Sequence, residues 1–327
     1  MRRRDFIAIV GGTAATWPLA ARAQQVTMPV IGYLSSRSPG DSAAIIAAFH
    51  KGLSEAGYVE GKNVTIESRF AAGHMDQLAK LAADLVSRKV SVIVATGGTS
   101  SVVAAKAATA TIPIVFVMGG DPVRLGIVSS LARPGGNITG ITFLANGLAA
   151  KEVQLLHELV PKAVLLGFLV NPYDPNEKSD AAEAQDAADR LGQKIVVVKA
   201  GTEKDLEAVF ATLAQQHAGA LFVDVEPFLA MHQPDIISLA NRYSLPTVSS
   251  LEGFAAAGRL MNYGMSIVDA NRQLGVYTAQ VLKGAKPADL PIMEPTKFRL
   301  VVNKKTTNKL GLDLPISILL RADEVIE

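Results

Sequence analysis

The chain has 327 residues, no cysteine, and a formal charge of +2 that comes from 32 basic and 30 acidic side chains. The first 23 residues hold four arginines and one aspartate, which leaves 28 basic and 29 acidic residues in the remainder. A near-neutral chain of this kind argues against nucleic acid as a partner, since nucleic-acid-binding proteins carry a basic excess. The missing thiol excludes a disulfide framework, an iron–sulfur cluster, a thiol nucleophile and a lipid-anchored cysteine.

The amino terminus has the three-part pattern of a secretory signal peptide. Arg3 and Arg4 belong to a short basic head, and residues 7–19 form a mildly apolar run of 13 residues. A helix that spans a bilayer needs roughly 20 such residues, so this run is too short. Residues 21–23 then provide the small-x-small pattern of a cleavage site, which predicts a cleaved signal peptide at residues 1–23, with cleavage before Gln24. The paired arginines are typical of the twin-arginine export route, and an ordinary signal peptide is the alternative.

After the leader, short apolar strands alternate with longer helical patterns. The predicted strands of this first series are residues 28–34, 64–70, 90–95, 112–117 and 138–143, and its predicted helices are residues 43–56, 75–88, 100–110 and 123–131. The runs VSVIVAT and IPIVFVM are continuously apolar and rich in β-branched residues. Such runs are expected for parallel strands that helices cover on both faces.

The same alternation then begins again. The second series has predicted strands at residues 164–170, 194–198, 220–223 and 246–249, and predicted helices at residues 151–159, 177–191, 203–215 and 234–243. The tail adds a predicted helix at residues 267–282 and a predicted strand at residues 298–302.

Two successive series of this kind predict an α/β fold with two doubly wound, Rossmann-like lobes joined by a multi-segment hinge. Glycines at residues 140–147 mark the expected division. We expect the N-terminal lobe to cover residues 28–143 plus a returning segment near residues 264–290. The C-terminal lobe is expected to cover residues 144–263 plus part of residues 291–327.

No catalytic, metal or cofactor motif stands out in the sequence. The chain lacks the G-x-S-x-G elbow, the G-x-x-x-x-G-K-[ST] phosphate loop, and a G-x-G-x-x-G run after its first strand. The histidines are scattered and none has the spacing of a metal site: His50, His74, His157, His217 and His232. The sequence therefore predicts no cofactor, no metal site and no enzymatic activity.

Polar or glycine-rich residues follow most of the predicted strands. In open α/β sheets, ligands bind at the carboxyl ends of the strands. In the first lobe these residues are Tyr33, Ser35, Ser36, Thr96, Gly97, Gly98, Thr99, Ser100, Gly120 and Asp121. In the second lobe they are Asn171, Tyr173, Asp224, Glu226, Ser249 and Glu252. The sequence predicts a ligand-binding cleft where these strand ends meet.

Two of these segments suggest specific chemistry. Residues 96–100 combine glycines and hydroxyls with the free N–H groups of a helix start, which favours an anion such as a carboxylate. Asp121 would lie beside the same cleft, where it could pair with an ammonium group. Purely structural interpretations stay open, because Thr99 and Asp121 also fit helix caps. Likewise Asp224 and Glu226 fit a solvated loop.

Several runs of the sequence resemble one known family. They are IPIVF (112–116), GDPV (120–123), SLARPGGNITG (130–140), LKGAKPADLP (282–291), NKKT (303–306) and LGL (310–312). In these runs the chain resembles ABC-transporter substrate-binding proteins related to tryptophan and tyrosine importer receptors. The resemblance implies a type I periplasmic binding protein that encloses a small ligand between two α/β lobes. Many relatives carry a lipoprotein cysteine, so its absence here implies a freely diffusing periplasmic protein.

The resemblance also implies a mechanism and partners. The lobes would close on a small ligand, an amino acid or a related carboxylate, with Asn171, Asp224 and Ser249 closing from the second lobe. The closed form would then dock transiently on a membrane permease that has a separate ATPase. Two alternatives stay open: a sensor subunit for a receptor kinase, and a cleft enzyme that uses Asp121 and Glu252 as acid and base.

Aromatic residues give limited information about the ligand. The single tryptophan lies in the leader, so the mature chain has none. Tyr33, Tyr173 and Tyr263 are the candidates for stacking on a ligand, and Tyr33 also fits the edge of the core.

Overall fold

A computed structural model describes residues 28–143, 148–251, 253–295 and 298–327. The expected signal peptide at residues 1–23 lies outside the described residues, and so does Glu252. Within the described ranges, no helix is both long enough and apolar enough to cross a membrane.

The first sheet contains β1 (Val30–Ser35), β2 (Thr65–Phe70), β3 (Val92–Thr96), β4 (Ile114–Met118) and β5 (Ile138–Thr142). These strands are parallel and lie in the order β2-β1-β3-β4-β5. The helices of this part of the chain are α1 (Ala43–Glu55), α2 (Leu78–Ser87) and α3 (Thr99–Ala108). Every residue of β3 and β4 is buried, which explains their continuously apolar sequences.

The second sheet contains β6 (Leu165–Val170), β7 (Lys194–Lys199), β8 (Ala220–Val223), β9 (Thr247–Ser249), β10 (Met261–Gly264), β11 (Arg299–Asn303) and β12 (Glu324–Ile326). Its order is β12-β11-β10-β9-β8-β6-β7, and only the pair β10–β11 is antiparallel. The remaining helices are α4 (Leu148–Leu159), α5 (Glu177–Arg190), α6 (Glu203–Gln215), α7 (Pro227–Met231), α8 (Gln233–Arg242), α9 (Ile267–Leu282), α10 (Lys304–Lys309) and α11 (Ile316–Leu319).

Helix α9 follows β10 of the second sheet but packs in the core of the first. Its Leu274 and Tyr277 are buried in the same cluster as Ile31 and Phe49. Helices α1 and α9 approach so closely that a Cβ at Gly52 would lie 1.8 Å from the Arg272 carbonyl oxygen. Only glycine permits this contact between the two helices.

The order of the described elements requires the chain to pass between the two sheets three times within residues 28–327. It crosses from β5 to α4, from β10 to α9, and again from Met293, which pairs with Ile141 beside the first sheet, to β11. Two α/β lobes joined by several chain segments confirm the predicted fold class.

One predicted helix is wrong. Residues 123–131 form turns, with no helix assigned. The Asp121 carboxylate accepts hydrogen bonds from the backbone N–H groups of Val123 at 2.8 Å and Arg124 at 3.1 Å, which closes a turn. Gly126 then takes a φ of +65°, so the chain leaves the helical conformation after one turn.

Candidate ligand-binding cleft

The carboxyl ends of the parallel strands in both sheets face each other, and the two lobes touch across this cleft. The Asn176 amide, before α5 in the second lobe, donates a hydrogen bond of 2.8 Å to Thr99 Oγ1 in the first. At Gly98 the lobes are so close that a Cβ would lie 2.7 Å from Pro227 Cγ. These contacts describe a closed arrangement of the lobes.

A second set of contacts closes the cleft beside the turn that follows β4. A Cβ at Gly120 would lie 2.0 Å from Asn176 Oδ1, so glycine is required for this approach. The Arg124 guanidinium donates to Ser179 Oγ at 2.8 Å and lies 3.4 Å from the Glu183 carboxylate. The second lobe therefore docks on the first through α5 and the residue before it.

The cleft contains a cavity of about 680 Å³ that opens to solvent. Its apolar wall consists of Phe143, Leu148, Phe222, Val225, Met265 and Ile267. Its polar wall consists of Gly119, Glu152, Asn176, Asp180, Asp224 and Ser250. The mixture of apolar walls with a few polar groups is typical of small-molecule sites.

Two buried carboxylates in this cavity carry open hydrogen-bonding positions. Glu152 is 1% exposed and Asp224 is 9% exposed. Glu152 Oε1 and Asp224 Oδ2 have no hydrogen-bond partner in the part of the chain that the structure describes. Burial raises the pKa of both carboxyl groups, and Asp180 raises that of Asp224 further. Since an unsatisfied buried acceptor is costly, these oxygens are positioned to receive donors from a ligand.

Asp180 adds a third carboxylate to the same wall. Burial, followed by the nearby Asp174, raises the pKa of Asp180 to about 7. No lysine or arginine lines this cavity among the residues with described positions. These three neighbouring acidic groups repel one another, Arg124 partly offsets that repulsion at Asp180, and a bound cation relieves it further. The cavity is therefore chemically suited to a positively charged group.

The opposite side of the cleft has a different character. An adjoining cavity of about 500 Å³ is lined by Arg37 and by the glycine turn after β3. Burial lowers the pKa of Arg37, and its Nε has no partner within the described ranges. Gly97 and Gly98 take φ values of +80° and +115°. Residues with a side chain rarely adopt these backbone conformations, so the turn depends on its two glycines. Thr96 Oγ1 lies 3.3 Å from Asn271 Oδ1 of α9, which secures the turn.

The structure places most of the sequence-predicted site residues along the cleft. Those that line a cleft cavity are Ser36, Thr96, Gly97, Gly98, Thr99, Ser100, Asn171, Tyr173, Asp224 and Glu226. Gly120 lies at the contact with Asn176 rather than in a cavity wall.

Several predicted residues have structural partners. Tyr33 is 2% exposed and packs against the rings of Phe49 and Phe70. Ser35 Oγ accepts from the backbone N–H of Arg37, and Ser249 Oγ donates to the Val223 carbonyl oxygen. The Asp121 carboxylate holds the turn described above. The ligand contacts of these four residues stay predictions, as do those of the residues that line the cleft cavities.

Glu226 and Tyr173 have contacts with other parts of the protein. The Glu226 carboxylate caps α7 by accepting from the Phe228 and Leu229 N–H groups, and it accepts from the Asn171 amide at 3.0 Å. Burial raises its pKa to about 7. Tyr173 is 68% exposed, and its ring edge lies against Gly201. The rings that line the main cavity are those of Phe143 and Phe222.

Sequence reasoning missed Glu152, Asn176 and Asp180. For Glu152 a signal existed, because it precedes Leu156 and Leu159 at the i+4 and i+7 positions of the buried stripe of α4. Asp180 lies four residues before buried Ala184 in α5. A carboxylate within an apolar helical stripe marks a buried charge, which is rare without a functional or structural partner.

Comparisons with known proteins match most of the chain. The family model "ABC transporter substrate binding protein" matches residues 38–326. The chain is 28% identical over 264 residues to a tyrosine-binding protein of Clostridioides difficile, covering 81% of this chain and 75% of that one.

Two solved structures share the fold over nearly the whole chain. One, from Streptococcus pneumonia, is described as an ABC domain in complex with L-Trp, with a TM-score of 0.84, 26% identity, and coverage of 91% of this chain and 99% of that chain. The other, a conserved domain protein from Vibrio cholerae, has a TM-score of 0.85, 25% identity and the same coverage. With its two-lobed fold, its closed cleft and a family match over most of its length, the chain belongs to the ABC transporter substrate-binding protein family.

Proposed function

We propose that this protein captures an amino acid, or a related small compound with an ammonium group, between its lobes and delivers it to an ABC importer. The observation that carries the proposal is the pair of open carboxylate oxygens, Glu152 Oε1 and Asp224 Oδ2, in the cavity between the lobes. An ammonium group has three donors and no acceptor, which suits a wall made of carboxylates. Charge-assisted hydrogen bonds of this kind are the strong ones.

The remaining walls fit the rest of an amino acid. Phe143, Phe222 and Met265 offer apolar and aromatic surface to a side chain. Arg37 and the turn at residues 96–100 offer a guanidinium and backbone N–H groups to a carboxylate. The names of the relatives, a tyrosine-binding protein and a domain in complex with L-Trp, support an aromatic amino acid as the first ligand to test.

Binding works by stabilising the closed arrangement of the lobes. The second lobe supplies the carboxylates and the first supplies the glycine turn, so a ligand that contacts both favours the closed state over the open one. The predicted boundary between the lobes lies near residues 140–147, in the first of the three segments that cross between the sheets. These three segments together would form the hinge. The closed surface of both lobes would then dock on the permease, with the energy supplied by its ATPase.

Export completes the proposal. A cleaved signal at residues 1–23, by the twin-arginine route, would deliver the protein to the periplasm. The chain has no cysteine that could carry a lipid anchor, which supports a freely diffusing receptor.

The test is to identify the ligand and then to remove its charge. Mass spectrometry of ligand released from the purified protein names candidates, and calorimetry with an amino-acid panel ranks them. For the best ligand, the N-acetylated form lacks the cation and is expected to bind about 100-fold more weakly or worse. The carboxamide of the same compound keeps the ammonium group and is the matched control. Equal affinity for the free and N-acetylated forms contradicts the proposal.

A further inference from the structure

The second lobe has another cavity, far from the cleft. It measures about 940 Å³ and lies where β9 and β10 begin, the edge of the sheet opposite to the strand ends that form the cleft. Its polar lining includes Arg259, Asn241, Thr306, Lys305 and Lys309. No acidic residue lines it among the residues that the structure describes.

Arg259 is the unusual group in this cavity. The residue is only 3% exposed, and burial lowers the pKa of its guanidinium. One amino group donates to Asn241 Oδ1 at 2.7 Å, but Nε has no partner, and no described carboxylate lies within 4.0 Å. By contrast Arg242, next to Asn241 in the chain, pairs with Glu207 at 2.6 Å. A buried charge without a counter-ion is costly, and a bound anion would supply the counter-ion that Arg259 lacks.

Two lysines add positive charge to the same cavity as Arg259. Lys305 and Lys309 are four residues apart on α10, so they lie on one face of the helix and repel each other. Both are exposed, and neither forms an ion pair with any described carboxylate. Their neighbour Lys304 does not line the cavity and pairs with Glu327 at 3.2 Å.

Other residues of the runs NKKT (303–306) and LGL (310–312) have a structural explanation. Asn303 Oδ1 caps α10 by accepting from the Thr306 N–H group, and the Asn303 amide donates to the Ala255 carbonyl oxygen. Leu310 and Leu312 pack against the core of the second sheet. Packing and capping therefore account for these residues but leave the two cavity-lining lysines unexplained.

We propose that this cavity is a binding site for a phosphate-type oxyanion. A guanidinium, two ammonium groups, an amide and a hydroxyl are the donors that bind phosphate, and they provide charge for a dianion rather than for a single carboxylate. Free phosphate and the phosphate of a lipid headgroup share this chemistry. The site lies on the opposite edge of the sheet from the cleft and takes an anion, whereas the main cleft cavity is lined by acidic groups.

The test titrates inorganic phosphate into the purified protein at constant ionic strength, with affinity measured by calorimetry. Saturable binding at one site is expected for the wild type and for Lys304→Gln, the matched control on the same helix. Because each lost cation removes a charge-assisted contact, Lys305→Gln/Lys309→Gln is expected to weaken the affinity at least about tenfold. Arg259→Met is expected to abolish binding, and thermal unfolding shows whether that variant folds.

The two sources of phosphate are then separated with vesicles. Binding to phosphatidylglycerol vesicles but not to phosphatidylcholine vesicles, lost in the double lysine variant, assigns the site to a lipid headgroup. Binding of free phosphate alone assigns it to a soluble anion, and either result supports the site. Absence of saturable phosphate binding by the wild type, or equal binding by the wild type and the double lysine variant, overturns it.

Discussion

The two walls of the cleft differ in what they bring to it. The first lobe presents glycines, hydroxyls and backbone groups, many of them already bonded, as when Ser36 Oγ donates to the Gly97 carbonyl oxygen. The second lobe presents buried carboxylates, of which Glu152 and Asp224 keep open oxygens. The difference suggests a division of work. Under the proposed function, carboxylates of the second lobe select the ammonium group of the ligand, and close backbone fit in the first lobe decides whether the lobes can close on it.

The closed contacts support this division. Gly98 and Gly120 leave no room for a side chain against Pro227 and Asn176. Because the lobes are in contact at these glycines, any side-chain atom added there would push the lobes apart. The contact therefore depends on shape and not on charge. Four experiments test the contributions of the two walls.

The largest effect is expected from the second lobe. In Asp224→Asn the buried charge that faces the ammonium group is lost, and truncating such a pair costs about 2–5 kcal/mol of binding free energy. We therefore expect the affinity measured by calorimetry to fall about 100-fold or more. The unliganded variant should unfold at the same or a higher temperature, because an uncompensated buried carboxylate is removed.

Asp186→Asn is the control for this experiment, since Asp186 is exposed on α5 and does not line the cavity. It should leave the affinity unchanged. If Asp224→Asn binds as tightly as the wild type, the second lobe does not select the ligand through charge.

The next largest effect tests closure in the first lobe. A Cβ in Gly120→Ala would meet Asn176 Oδ1, so the variant should close poorly and bind about tenfold more weakly. Small-angle scattering should show a smaller decrease in radius of gyration when ligand is added. Gly40→Ala is the control, because Gly40 is exposed in the first lobe, away from the residues that line the cleft, and a Cβ there would meet only Ser38 Oγ, at 3.9 Å.

Combining Gly120→Ala with Asn176→Ala removes the clashing amide. The double variant should close more fully than Gly120→Ala alone. No recovery in the scattering data would show that the clash does not control closure.

The third effect depends on pH. Asp180 and Glu226 have pKa values raised to about 7 by burial, so the folded, unliganded protein holds these protons more tightly than the unfolded chain. Its stability should therefore fall as pH rises from about 4 to about 7. A bound ammonium group favours the ionised carboxylate of Asp180, so ligand affinity should rise between pH 6 and pH 8, by about fivefold to tenfold.

Calorimetry in buffers of different ionisation enthalpy measures the protons released on binding. Asp180→Asn should reduce that release near pH 7 and flatten the pH profile. An affinity that stays constant from pH 6 to pH 8 would count against a cation in this cavity.

The smallest effect is expected at the rim. Arg124→Ala removes the contacts with Ser179 and Glu183 between the lobes. Half-exposed ion pairs contribute about 0.2–1 kcal/mol, so the affinity should weaken about twofold to threefold, mainly through faster ligand dissociation because the closed state is less populated. Arg133→Ala changes an exposed arginine of the same loop and should have no effect. A loss as large as that of Asp224→Asn would show that rim contacts, and not the buried carboxylates, dominate binding.

The sequence determines the fold to a large extent. Apolar strands that alternate with helical patterns specify parallel sheets covered by helices, and α6, β8 and α9 have the predicted bounds. The exceptions are local: at residues 123–131 a carboxylate and a glycine end the helix after one turn. The strands β10 and β12, with four and three residues, are too short to show a period.

The site is determined only in part. The rule that ligands bind at strand ends identifies Asp224 and the turn at residues 96–100, because chain position alone specifies where a parallel strand ends. Glu152 and Asp180 lie on helices, and only the packing of α4 and α5 brings them to the same cavity as Asp224. Tertiary structure likewise decides that Asp121 holds a turn and that Arg259 is buried beside two lysines. The hydrophobic period and the turn residues of a sequence indicate the local backbone conformation. The burial of a side chain and the charges around it depend on which distant elements pack together.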